Sequence, residues 1–166
     1  MFDRELTRSS QLDKEINTPL TLLTVIAAIV VYNLKQLNLS NICELISHDG
    51  VFLLIIGLSY ILSIFTLIKS YNNLFKGFNY LNLSKPTSLR EYETTEINTY
   101  NNQVATSEKI NFENELINEV NKLTDYNIAI NDNRSYDLYY AKTLSILTII
   151  LSGIHTIILT VINTQI

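Results

Sequence analysis

The side chain with the most chemical potential for its position is His155. The chain has two histidines, His48 and His155, and the second lies deep in an uncharged apolar stretch. Ionisable groups in such stretches mark functional sites by default, because even partial charge is costly there. A neutral imidazole hydrogen-bonded to a nearby hydroxyl is the plainer alternative, and both readings stand at this point. Hydroxyls surround His155 at helical spacing: Ser145, Thr148, Ser152, Thr156 and Thr160. A second apolar stretch carries Ser59, Ser63, Thr66 and Ser70, and a third offers Thr21, Thr24 and Ala28. Steps of three and four residues put such groups on one helix face. There they let helices approach closely and hydrogen-bond to one another. The same face can instead line a polar pore. Ser59, Ser63, Thr66, Thr148, Ser152, His155 and Thr156 are therefore candidates for a pore or a helix interface. Three helices of one protomer cannot enclose an ion path, so the pore reading requires a homo-oligomer.

A second constellation is Asn127, Asn131 and Arg134, polar residues that continue the apolar seam Phe112, Leu116, Val120, Leu123. Polar groups in a seam set register or oligomer state; a gating or binding collar is the alternative. Other chemistry is excluded more easily. One cysteine, Cys43, makes neither an internal disulfide nor a Cys-rich metal site. No HExxH, GxSxG, phosphate-binding loop or clustered carboxylate pair occurs, so no enzyme, catalytic residue, metal or cofactor is expected. A net charge of −4 lacks the footprint of a nucleic-acid binder, so no direct nucleic-acid binding is expected.

These residues need elements to hold them. Of 166 residues only 17% are charged, against about 25% in an ordinary soluble domain. Mean hydropathy is positive, at +0.16. The charges are missing from blocks 16–34, 50–68 and 143–166. A bilayer core takes about 20 apolar residues in a helix, so each block is a candidate span. The first, centred on Pro19 to Leu34, reaches about 24 Å and needs flanking residues or local thinning to cross. No small-x-small cleavage site follows it, so it reads as an uncleaved anchor. Of the 12 basic residues all but Lys35 fall before the first block or between the second and third. The positive-inside rule then puts the N-terminus inside, the loop with Cys43, His48 and Asp49 outside, and the C-terminus outside.

The predicted fold class is an all-α membrane protein, with three transmembrane helices and a cytoplasmic helical segment between the second and third. The predicted divisions are a cytoplasmic N-terminal segment 1–15, a two-span hairpin 16–69, a cytoplasmic segment 70–141 and a third span 142–166. In the cytoplasmic segment, Pro86-Thr87-Ser88 followed by Glu91 predicts a helix start with a capping box. Residues 98–107 read as a loop or a broken helix, and a second helix is expected near Ser107. With no Gly or Pro from there to Ser152, that helix is expected to run on into the third span. Residues 86–141 hold ten acids against four bases, which argues against nucleic acid or anionic lipid as this segment's ligand.

The run Asn127-x3-Asn131-Asp132-x-Arg134-x3-Leu138-x2-Ala141 before the last block resembles small membrane proteins of prokaryotic defence loci. Ile16 to Thr24 and Pro86-Thr87…Leu89…Glu91-Tyr92 carry the same likeness. In layout the chain is similar to the SLATT and Pycsar-type transmembrane effectors, a likeness spread over the whole layout but carried by three short runs. The resemblance implies oligomerisation and disruption of the inner membrane once a partner senses infection, with Asn127, Asn131 and Arg134 as its key positions. The expectation is an inner-membrane, homo-oligomeric effector forming a pore or lesion in anti-phage defence. Its expected partners are membrane lipid, further copies of itself and a cytoplasmic sensor protein. The alternative is a non-conducting anchor that recruits a sensor or enzyme through its acidic helices. A ligand-gated receptor is disfavoured for cyclic nucleotides by the acidic segment.

Overall fold

A computed structural model describes residues 1–36, 48–71 and 79–164 of the chain. Helix α1 (Phe2–Glu15) is followed by α2 (Asn17–Gln36), α3 (His48–Ser70) and α4 (Pro86–Glu91). A π-helical stretch (Tyr92–Ile97), α5 (Asn98–Asn101) and a 3-10 turn (Thr106–Glu108) precede the long α6 (Phe112–Thr164). Among the described residues there is no strand. Three helical stretches, Phe2–Lys35, Gly50–Ser70 and Thr106–Val161, are long and apolar enough to cross a membrane by length and composition. Cys43 lies outside the described residues.

Local sequence explains where the helices stop and start. Pro19 has no N–H, and its ring excludes the carbonyl four residues back, that of Glu15. Helix α1 ends there, and α2 starts after the single turn residue Ile16. The capping box expected at Ser88 and Glu91 is not formed. Helix α4 begins at Pro86, whose fixed φ suits the first helical position, with Lys85 before it and no side-chain cap. That start puts Ser88 inside the helix. Within the π-helical stretch the Asn98 N–H reaches back five residues to the Glu93 carbonyl. The long helix begins at Phe112 rather than near Ser107, because Asn111 is its cap: the Asn114 N–H donates to Asn111 Oδ1 at 3.0 Å. Just before it, Asn101 exchanges two 2.8 Å bonds with the backbone of Ile110 and closes the intervening loop. From Phe112 α6 runs unbroken for 53 residues.

The chain forms two compact units. One comprises Met1–Ser9 and Phe78–Asn131, the other Ser10–Gly77 and Asp132–Ile166. These boundaries differ from the divisions at 69/70 and 141/142 expected from charge. Charge density falls only after Lys142, whereas close packing among apolar helices already includes Leu138 and Ala141.

In the second unit the buried positions fall at steps of three, four or their sum of seven. Along α1 and α2 they are Leu12, Ile16, Pro19, Leu23, Ile26 and Asn33; along α3, Leu53, Ile56, Ser63, Leu67 and Ser70. Helix α6 contributes Arg134, Leu138, Ala141, Ser145, Thr148, Ser152, His155 and Leu159. That period of 3.5 is the coiled-coil period, in which one face stays turned to its neighbours. The apolar core joins Leu12, Ile16, Leu23 and Ile26 to Leu67, Leu138 and Ala141. In the first unit Ile97 and Leu123 are the buried apolar residues among those described.

Candidate functional site

The hydroxyls of α3 and α6 form a ladder inside the second unit. Ser63 Oγ donates to the Ala141 carbonyl at 3.0 Å and lies 2.7 Å from Ser145 Oγ. With its one proton committed, Ser63 must accept from Ser145. One turn along, Thr148 donates to the Leu144 carbonyl at 2.7 Å and lies 2.7 Å from Ser59, which by the same logic is the donor. Thr66 turns back onto its own helix, bonding the Leu62 and Ser63 carbonyls. Ser63, Ser145 and Thr148 are fully buried within a single protomer.

Beyond the ladder lies a second polar group. Asn33, fully buried on α2, accepts from Thr156 Oγ1 at 2.9 Å and donates to the Ser152 carbonyl at 3.5 Å. The single Thr156 hydroxyl proton is shared between Asn33 Oδ1 and the Ser152 carbonyl, which lies 2.8 Å away. The Ser152 hydroxyl is buried with no hydrogen-bond partner among the described residues. His155, 1% exposed, stacks on Phe52 with ring centroids 5.4 Å apart and planes 17° from parallel.

Charge gathers near the opposite end of these helices. Arg134 is fully buried; its Nε donates at 3.0 Å to the carbonyl of Ser70, the last residue of α3. A guanidinium suits that place, where unsatisfied carbonyls make the helix end partly negative. Its Nη2 pairs with Asp13 Oδ1. Lys69 bonds Asp137 at 2.9 Å, and Lys142 pairs with Glu15. Helix α6 is thus tied to α1 and to α3 by ion pairs.

In the first unit the two asparagines hold extended chain and helix. Asn127 accepts from the Leu81 N–H at 3.0 Å and donates to the Leu81 carbonyl at 2.9 Å. Asn131 Nδ2 donates to the Glu5 carbonyl at 2.9 Å and to Glu5 Oε2 at 3.0 Å, while its Oδ1 accepts from Tyr80 at 2.6 Å. Both are fully buried. The same unit carries a groove of about 450 Å³ between α4 and the start of α6. Its sides include Leu89, Tyr92, Phe112, Leu116, Glu115 and Glu119.

The stripe Ser145, Thr148, Ser152, His155 is therefore brought together with Ser59 and Ser63, and Thr156 joins it through Asn33. The triplet Asn127, Asn131, Arg134 is buried, but its members serve different partners, two in the first unit and one in the second. Thr21, Thr24 and Ala28 are exposed, and both threonines bond carbonyls of their own helix. Asn33, Phe52, Glu5, Asp13 and Tyr80 were not singled out from the sequence. Asn33 could have been found, since it extends the Leu12, Ile16, Leu23, Ile26 pattern at the same spacing. Glu5 and Asp13 had no such signal. Among the described residues no group of three His, Cys, Asp or Glu side chains could hold a metal. No protein-family model, no curated protein and no solved structure matches the chain.

Proposed function

We propose that this is an inner-membrane effector whose second unit spans the bilayer and, in a homo-oligomer, opens into a pore or lesion. The observation that carries the reading is a buried polar stripe beside the apolar core of the second unit, set against an apolar surface. The unit's interior holds Asn33, Ser63, Ser145, Thr148, Ser152 and His155, while its surface holds Leu58 at 60%, Ile61 at 64% and Ile157 at 65% exposure. A water-soluble bundle keeps such polar groups outside and fewer large apolar side chains at its surface, and an extensive apolar exterior marks a lipid or protein contact. In lipid, helix association gains nothing from apolar burial and relies on close packing and on hydrogen bonds like those of the hydroxyl ladder.

On this reading the buried stripe of Ser145, Thr148, Ser152 and His155 corresponds to a closed state. Opening requires α6 to turn or part from α3, so that Ser152 and His155 exchange their protein surroundings for water. The trigger reaches the first unit, from a sensor protein on the cytoplasmic side, the side that the distribution of basic residues supports for the N-terminus. Likeness to defence-associated effectors supports the anti-phage setting. The alternative, a non-conducting anchor, is favoured by one observation: the Ser59–Thr148 and Ser63–Ser145 pairs are complete within a single protomer.

The deciding measurement is membrane potential in cells expressing the chain with and without its genomic neighbours. Depolarisation that is lost in Ser152→Leu and His155→Leu, with both variants still inserted, supports the pore. Unchanged potential with recruitment of a soluble partner to the membrane replaces it with the anchor.

A further inference from the structure

The groove between α4 and α6 in the first unit combines an apolar floor with an acidic wall. Its floor is apolar, formed by Leu89, Phe112 and Leu116, all half-buried, with the half-exposed ring of Tyr92 beside them. Along one wall stand Glu115 and Glu119, both exposed, and neither forms an ion pair among the described residues. Four residues apart on one helix, their carboxylates repel each other mildly. Lys122, three residues beyond Glu119 at the end of the same wall, is the one base among the groove's lining residues. The surroundings are also negative, with eight acids against three bases over residues 86–131.

We propose that this groove docks a basic amphipathic helix of a partner protein. Apolar side chains of that helix, at spacings of three and four, would fill the floor. Lysine or arginine residues flanking them, four apart, would meet Glu115 and Glu119. Charge selects this occupant. An acidic segment is repelled by the wall, and a purely apolar one leaves two carboxylates beside a dry surface with no counter-charge. The inference names the chemistry of the partner that the proposed function invokes. It does not depend on the pore, since every residue it uses lies in the first unit.

The test uses the purified full-length chain in a neutral detergent. The probe is a fluorescein-labelled peptide of leucine and lysine about four turns long, patterned as an amphipathic helix. Anisotropy is read against empty micelles. The expected result is binding above the micelle background that weakens as salt rises from about 50 to about 500 mM. The double variant Glu115→Lys/Glu119→Lys should bind at least about tenfold more weakly. A peptide with glutamate in place of lysine should regain affinity for that variant alone. Glu115→Gln/Glu119→Gln, which keeps shape and helix content, should fall between. Equal affinity of all variants for the lysine peptide, or binding no greater than to micelles, overturns the proposal. Equal binding of the glutamate peptide to the native chain does so too. Loss of membrane depolarisation is not part of this readout, so failure of the pore reading leaves the test intact.

Discussion

Asn127 holds Leu81 as a neighbouring strand would, giving one hydrogen bond to its carbonyl and taking one from its N–H. A side-chain amide presents the donor and acceptor of a peptide group, so it can satisfy a length of chain that has no other secondary structure. Replacing Asn127 with alanine removes both bonds. Because Leu81 is partly exposed, water can replace them, and the loss should be about 1–2 kcal/mol. Asn127→Asp should be worse at neutral pH despite keeping the acceptor, since it places a carboxylate in a fully buried position. Burial raises the pKa of that new carboxyl in the folded state, so the penalty is present at neutral pH and shrinks on acidification. Amide hydrogen exchange at Leu81 and thermal melts of both variants at pH 7 and pH 5 check the order.

For Arg134 and Asp13 the two halves of one ion pair should have unequal effects. The guanidinium is fully buried, whereas the aspartate side chain is 41% exposed. Asp13→Ala removes the carboxylate that faces a buried cation, leaving the Ser70 carbonyl beside it, and should cost about 3 kcal/mol. Arg134→Met removes the charge, keeps most of the stem's packing and returns Asp13 to water, so it should cost less, about 1–2 kcal/mol. The double variant should then be more stable than Asp13→Ala alone. Melting temperatures of the three proteins in one detergent decide it, and a double variant weaker than both singles would refute the assignment.

The hydroxyl ladder predicts graded losses. Ser63 is fully buried and donates to Ala141 while meeting Ser145, whereas Ser59 is half-buried and meets only Thr148. Ser63→Ala should therefore cost more than Ser59→Ala, each within about 0.5–1.5 kcal/mol. A Ser63→Ala/Ser145→Ala cycle should show coupling of about 0.6 kcal/mol. Denaturant-induced unfolding in mixed micelles, run as a double-mutant cycle, reads both quantities.

Tyrosines provide a depth gauge for the proposed membrane placement. Tyr136, Tyr139 and Tyr140 are 67%, 63% and 52% exposed on α6, close in sequence to the ion-paired Asp137 and Lys142. Aromatic rings with a polar tip collect at membrane–water boundaries. The chain has no tryptophan, so Tyr139→Trp introduces a single reporter. Its fluorescence should be quenched best by lipids brominated near the headgroup. Leu58→Trp, from the middle of α3, should respond best to bromines deep in the acyl chain. The reverse pattern would remove the placement.

Much of this architecture is legible along single helices and little of it between them. The unbroken α6 follows from the absence of Gly and Pro between Ser107 and Ser152. The spacing of Ser145, Thr148, Ser152 and His155 names the face that is buried. Those are properties of one helix, and periodicity reports them directly. Which groups meet that face is a matter of long-range pairing. Nothing near Asn131 in sequence points to Glu5, and nothing near Arg134 points to Asp13. The same limit explains Thr21, Thr24 and Ala28, whose small size at helical spacing reads as an interface although their face is exposed. The expected capping box fails for a local reason: Pro86 starts α4 two residues before Ser88.

The 3.5-residue period of α6 also restricts how this helix can change length. Arg134, Ala141, Thr148 and His155 lie seven apart and share one angular position on the buried stripe. Adding one residue after Ala141 would turn everything beyond it by about 100°. Ser152 and His155 would then swing away from Asn33 and Phe52, and Leu144 and Leu147 would face the serines of α3. Adding seven residues would instead lengthen the helix by about 10.5 Å with every contact face preserved. Insertions and deletions tolerated in this region are therefore those that come in whole heptads, so the helix behaves as a ruler marked in steps of two turns.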